Sequence, residues 1–448
     1  MRLSEAATAL AARRWGPDCL FQGFAIDSRR VAQGNLFVAL RGPRYDGHTF
    51  LHQARARGAA ACLVERRNST VLPSVVVHDT RAGLGELARA WRSRFSLPLV
   101  AVTGSNGKTT VKELVAAILD GVGPTLATAG NLNNEIGVPC TLLGLGEEHQ
   151  FAVVEMGANR PGEIARLSSM ALPTVAVITQ CAPAHLEGFG SIDGVARAKG
   201  ELIEGADAAA TIVINGDDCY APLWRELAGG RPCLAFGLEQ EAEVTATWRP
   251  SPRGTEITLT TPVGSSKVQL PLLGRHNVLN ALAATSAALA IGVPLDLIRT
   301  GLERAPQLTG RLQILPAVHA GAVVINDSYN ANPASMSVAL DVLAGYPGQR
   351  WLVVGDMGEL GADTSRFHWQ VGELARARGV QRLYAVGEQS QWAVQAFGEG
   401  AAHFVKQGAL IKAITSEMRA DLTVLVKGSR AMRMEEVVDA LTGGYAEF

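Results

Sequence analysis

The run Thr103-Gly104-Ser105-Asn106-Gly107-Lys108-Thr109-Thr110 lies between the apolar stretch LVAVT and the helical pattern VKELVAAIL. Strand, glycine loop and helix follow one another in the order that a triphosphate cradle needs. Glycines let the backbone curl until its N–H groups face a phosphate, and the helix start adds positive potential. Lys108 brings a point charge, and a threonine hydroxyl can reach Mg2+. The general pattern of such loops wants a glycine where Val102 stands, and Gly104 comes two residues later. A plain glycine turn is the competing reading, but it gives no packing reason for a lysine and two threonines directly after the glycine.

Three further side chains could do chemistry. Glu155 ends the apolar run FAVVE, and the carboxyl end of a parallel strand is where a carboxylate would hold Mg2+ beside a triphosphate. Such a carboxylate could equally cap a turn or a helix. The next apolar run, VAVIT, leads to His185, which would emerge at the same edge, although a single histidine is more often structural than a ligand. Lys199 falls in a helical pattern after the loop EGFGSIDG, and by composition it reads as a solvated surface lysine.

The elements that must carry these groups form an α/β chain of three domains. Residues 1–84 mix short apolar runs (residues 34–42 and 62–65) with turn residues, as in a small N-terminal α/β domain; a helical pattern follows over 82–95. Residues 85–310 alternate buried-type strands with helical segments, which predicts a parallel sheet with helices on both faces; shorter runs over 242–272 add antiparallel strands, and an Ala/Leu-rich helix follows over 276–290. Residues 311–448 repeat the strand–loop–helix rhythm at AVVIN, WLVVG, RLYAV and LTVLV, as in a Rossmann-like unit. With 448 residues the chain is long enough for several cores, and 41 basic against 42 acidic side chains exclude a general attraction to nucleic acid. Six scattered cysteines without a CxxC pair point to a reducing compartment, and the N-terminus lacks the pattern of a signal peptide. The expectation is a cytoplasmic protein without a membrane span, acting as a monomer.

Seven motifs in order carry a resemblance that covers nearly the whole chain: TGSNGKTT, GNLNNEIGVP (130–139), EMGANRPGEI (155–164), AHLEGFGSIDGVARAKGE (184–201), GRHNVLNALAA (274–284), NDSYNANPASM (326–336) and GDMGELG (355–361). They resemble the Mur ligases, ATP-dependent amide-bond ligases of peptidoglycan precursor synthesis. The resemblance implies that ATP meets Gly104, Ser105, Asn106, Gly107, Lys108, Thr109 and Thr110, and that Lys108, Glu155, His185 and Lys199 are catalytic. It also implies a carbamylated Lys199 and two Mg2+ ions, held by Lys199 with His185 and by Glu155 with Thr109. His276 and Asn277 would approach the adenine, Arg311 the phosphates when the domains close, and Asp327, Tyr329 and Asn330 the nucleotide from the last domain. The last three also read as a turn before a proline-started helix. Ser28, Arg29, Asp46, His48 and Thr49 resemble the family's UDP-sugar site, while Thr128, Asn131 and Asn134 look placed to hold the sugar-peptide. The ligases that add the third peptide residue carry Asp-Asn-Pro-Arg in the last domain, where Asp327 is followed here by Ser328-Tyr329-Asn330. That favours the branch whose substrates are the UDP-N-acetylmuramoyl-tripeptide and D-alanyl-D-alanine over the third-residue ligases. Folylpolyglutamate synthase and a nucleotide-binding switch are the other readings.

Overall fold

The structure is a computed structural model and describes residues 1–43, 45–66, 72–183, 186–251, 254–319 and 321–444. Its strands form four sheets.

The central sheet has six parallel strands in the spatial order Cys233–Phe236, Thr211–Asn215, Val175–Ile178, Leu99–Thr103, Phe151–Glu155, Thr125–Ala127. Alternation along Leu99–Thr103 shows why both faces are covered. Val100 and Val102 enter one core with Val111, Leu114 and Ala281, while Leu99 and Ala101 enter another with Ile164, Leu202 and Trp224. A period of two in a run that is apolar throughout requires helices on each side. On the first side lie the helices Lys108–Asp120 and Arg275–Ala290, and on the second Glu163–Ala171, Ile192–Glu204 and Ala221–Ala228. The expected antiparallel addition is a three-stranded sheet, Thr245–Ser251, Gly254–Thr261 and Gly264–Leu270, whose Ile257, Leu259 and Val268 join the first core.

The N-terminal sheet has five short strands, parallel except for Arg13–Trp15. Helix Thr80–Arg92 joins it to the centre: Asp79 accepts from the Arg81 and Ala82 amides and starts the helix. Leu84 and Leu87 then enter the N-terminal core, and Ala88 the central one. Each buried leucine contributes roughly 1.5–3 kcal/mol, so this helix is an adhesive between the two units. It runs unbroken through residue 84.

The C-terminal sheet has six strands and is parallel apart from Gln313–Pro316 at one edge. Again successive residues feed opposite cores, with Leu352 and Val354 on one side and Trp351 and Val353 on the other. The chain enters this unit through Gly310, at φ +73°, where a Cβ would stand 3.2 Å from the Tyr329 nitrogen. Among the described residues no helix is long and apolar enough to cross a membrane.

Candidate active site

A cavity of about 760 Å³ opens where the three units meet. Its wall contains Ser105 to Thr110 from the glycine loop, together with Asn131, Asn134, Glu155, Lys199, His276, Asn277, Arg311, Asp327, Tyr329 and Asn330.

The loop takes its shape from the neighbouring strand end. Val102 is fully buried inside strand Leu99–Thr103, so the loop starts only at Gly104. Gly104 has φ +146°, and a Cβ there would come within 1.9 Å of Thr179 Oγ1. Gly107, at φ +83°, starts helix Lys108–Asp120, and a Cβ there would meet Asn280 Oδ1 at 2.4 Å. Only glycine fits such positions without strain. The Ser105 amide donates to the Gln180 carbonyl (2.8 Å), and Thr179 Oγ1 donates to the Asn106 carbonyl (2.6 Å). Lys108 Nζ donates to the carbonyls of Gly104 (2.8 Å) and Ser105 (3.2 Å). Burial holds this ammonium below the usual lysine range, while the Glu155 carboxylate pulls it back up.

Glu155 is 2% exposed at the end of strand Phe151–Glu155. Its amide donates to Thr128 Oγ1 (3.0 Å), and its Oε1 accepts from Asn133 Nδ2 (2.7 Å). Oε2 is buried with no hydrogen-bond partner among the described residues. Lys199 is also 2% exposed, on helix Ile192–Glu204, which Ser191 caps by accepting from the Gly194 amide. The surface-lysine reading of its composition is therefore overturned: helix packing encloses it. Burial pushes its amine down to about 7, and the positive charge of Lys108 acts in the same direction. No ion pair reaches Lys199 among the described residues, and its Nζ stands 5.6 Å from the centre of the Phe189 ring. His185 lies outside the described residues.

The C-terminal unit closes the cavity. Arg311 Nη2 donates to Thr109 Oγ1 (3.0 Å), and the guanidinium sits 4.3 Å from the Tyr329 ring centre. Asp327 ends strand Val323–Asp327, where burial raises its carboxyl against the pull of Lys427, whose Nζ lies 2.6 Å from Oδ2. Lys427 also donates to the Asn330 carbonyl (2.8 Å), and the Leu312 amide donates to Asp327 Oδ1 (3.2 Å). The proline-started helix is present as well: Asn332 caps Pro333–Ala344, accepting from the Ser335 amide, and its Nδ2 donates to Asn106 Oδ1 across the units (2.8 Å). Burial and Lys427 lower His276 to about 4, and Asn277 Oδ1 accepts from Asn280 Nδ2 (3.0 Å).

Ser28, Arg29, Asp46, His48 and Thr49 do not line this cavity. Ser28 Oγ donates to Gln53 Oε1 (2.7 Å), and Arg29 is paired with Asp27 at 2.8 Å. Asp46 accepts from the His48 amide (3.0 Å) and ring Nδ1 (2.6 Å), while His48 Nε2 accepts from the Glu65 amide (2.9 Å). Thr49 Oγ1 donates to the Asp46 carbonyl (2.7 Å). Thr128 is buried behind Glu155, Asn131 is exposed on the cavity wall, and Asn134 Oδ1 accepts from the amides of Ile136 and Gly137. Sequence reasoning passed over Asn133, Asn280 and Lys427. A lysine closing the buried run LTVLV and an asparagine one turn beyond Asn277 were the available signals for two of them.

Family models cover three stretches of the chain: "Mur ligase family, catalytic domain" matches residues 21–95, "Mur ligase middle domain" 102–288, and "Mur ligase, glutamate ligase domain" 310–430. The chain belongs to the Mur ligase family. Among its relatives, the UDP-N-acetylmuramoyl-tripeptide--D-alanyl-D-alanine ligase of Escherichia coli K12 is 46% identical over 444 residues, 98% of each chain. A crystal structure of MurF from Acinetobacter baumannii matches with TM-score 0.92 at 36% identity over 98% of each chain. MurF ligase from Thermotoga maritima, solved in complex with ADP, matches with TM-score 0.86 at 29% identity, over 95% of this chain and 98% of that one.

Proposed function

We propose that this chain joins D-alanyl-D-alanine to a UDP-N-acetylmuramoyl-tripeptide, consuming ATP, in the domains 1–84, 85–310 and 311–448, as a cytoplasmic monomer. The observation that carries the reading is the convergence on one cavity of a glycine loop with a buried lysine, a carboxylate with an oxygen unpaired among the described residues, a second buried lysine and an arginine from the last unit. The similarity to the E. coli ligase supports the choice of substrates.

In this reading the terminal carboxylate of the tripeptide attacks the γ-phosphorus of ATP, releasing ADP and leaving an acyl phosphate. The amine of D-alanyl-D-alanine then attacks the acyl carbon, and the tetrahedral intermediate expels phosphate as the amide forms. The amides at the start of helix Lys108–Asp120 and the Lys108 ammonium stabilise the phosphate charge. Arg311, already within reach of the loop, adds a second cation from the closing domain. His276 and Asn277 take the adenine side, and Asp327, Tyr329 and Asn330 meet the nucleotide from the C-terminal unit. Ser28, Arg29, Asp46, His48 and Thr49 serve the UDP-sugar, and Thr128, Asn131 and Asn134 the sugar-peptide. Enclosure by three units aligns the reactants and keeps water from the acyl phosphate.

The residues present fit Mg2+: Glu155 Oε2 is buried and unpaired among the described residues, and the Thr109 hydroxyl lies on the same cavity. Glu155 with Thr109 would hold one ion, and His185 with Lys199 a second. An ammonium cannot ligate a cation, but an amine lowered to about 7 is neutral often enough to add to CO2, forming an N–C bond with loss of a proton. The resulting carbamate supplies the missing carboxylate. Bound Mg2+ offsets charge on the transferring phosphoryl group.

Phosphate release by the purified protein with the tripeptide nucleotide, measured with and without D-alanyl-D-alanine, tests the proposal. Sustained release that requires both substrates is expected. Release that needs neither, or that appears only with glutamate and a folate, overturns it.

A further inference from the structure

We infer that Asn133 is a positioning residue for the Glu155 carboxylate, fixing one oxygen so that the other is left for a cation. The inference rests on the metal-dependent ligase reading above. Asn133 Nδ2 donates to Glu155 Oε1 at 2.7 Å, while Oε2 is buried and unpaired among the described residues. A carboxylate rotates freely about its last bond unless one oxygen is tied down. With Oε1 held by an amide and the main chain held by Thr128 Oγ1, both the position and the roll of the carboxylate are set.

Asn133 is itself built in. Its amide donates to the Asn131 carbonyl and its carbonyl accepts from the Gly157 amide, each at 2.8 Å, so the loop carrying it is tied to the chain just beyond Glu155. Gly157 leaves room for the amide: a Cβ there would stand 3.1 Å from three atoms of the Asn133 side chain. An amide donor suits this post better than a cation. A lysine or arginine would neutralise Glu155 and compete with the metal, whereas a neutral N–H orients it and leaves its charge available.

The test compares Asn133→Leu, Gly157→Ala and Glu155→Gln with the unchanged protein, using Mn2+ as the probe. Mn2+ binding in the presence of ADP is followed by electron paramagnetic resonance, and ADP binding in EDTA by calorimetry. Asn133→Leu is expected to weaken Mn2+ about 10–100-fold, the usual effect of removing a residue that orients a ligand. ADP affinity without metal should stay within about twofold, and turnover should recover in large part at high Mg2+. Gly157→Ala, which crowds the same amide, should shift Mn2+ affinity in the same direction. If Asn133→Leu leaves Mn2+ affinity unchanged while Glu155→Gln lowers it, the positioning role is wrong and the metal reading stands. Equal losses of Mn2+ and metal-free ADP binding make Asn133 a structural loop residue and also overturn the inference. Unchanged Mn2+ affinity in Glu155→Gln removes the metal reading and the inference with it.

Discussion

Replacing Lys427 by methionine should destabilise the C-terminal unit far more than the loss of one surface ion pair would. Lys427 Nζ lies 2.6 Å from Asp327 Oδ2 and 2.8 Å from the Asn330 carbonyl, and the two side chains are 2% and 12% exposed. Methionine fills most of the same volume, so little packing is lost. What remains is a buried carboxylate without its cation, and breaking such a pair costs about 3–5 kcal/mol against 0–1 for an exposed one. Burial already raises the Asp327 carboxyl, and without Lys427 it should rise further and take up a proton nearer neutral pH. The paired strands Val323–Asp327 and Leu422–Lys427 set these residues opposite each other, so their amides are the local reporters. Hydrogen exchange measured by mass spectrometry gives the opening free energy of these strands without assuming that three domains unfold together. The expected fall is about 3–5 kcal/mol in Lys427→Met. Most of it should return in the double variant with Asp327→Asn, which removes the stranded charge and keeps an acceptor for the Leu312 amide. A loss below about 1 kcal/mol in the single variant, or a double variant as unstable as the single one, refutes the reasoning.

Gly104→Ala should lower affinity for a fluorescent ATP analogue at least about tenfold, because a Cβ 1.9 Å from Thr179 Oγ1 forces the loop out of shape; unaltered binding in a titration counts against the loop. His276 is held at about 4, below its ordinary 6.5, so the unfolded chain binds the extra proton first. Stability present above pH 6.5 should drain as the pH falls toward 4, by up to about 3 kcal/mol, and His276→Asn should flatten that part of a denaturation–pH series relative to the parent. Arg311→Lys should reduce turnover about tenfold or more in steady-state assays, since a single ammonium cannot both reach Thr109 and stack on Tyr329; an unchanged kcat would remove Arg311 from the phosphate site.

The strands of the central and C-terminal units were legible because runs such as LVAVT, FAVVE and WLVVG are apolar on both faces, a pattern that only a covered sheet satisfies. The glycine loop was equally legible, since its chemistry is local: positive φ, a helix start and a lysine follow from consecutive residues. Glu155 could be placed at a strand end for the same reason. Its partners could not be read. Asn133 is 22 positions away and reaches Glu155 from the loop after strand Thr125–Ala127, which pairs with Phe151–Glu155 on one side, while the Lys108 charge comes near from the loop after Leu99–Thr103, which pairs with it on the other. The burial of Lys199 was invisible for a related reason: helical spacing fixes which residues share a face, while the covering of that face depends on the elements packed against it. Contacts between units, Arg311 with Thr109 over 202 positions and Asn332 with Asn106 over 226, lie furthest from sequence reasoning. Side-chain type and local spacing determined which chemistry this chain carries, and tertiary packing decided which groups lose water, and with it the pKa values and partners on which that chemistry depends.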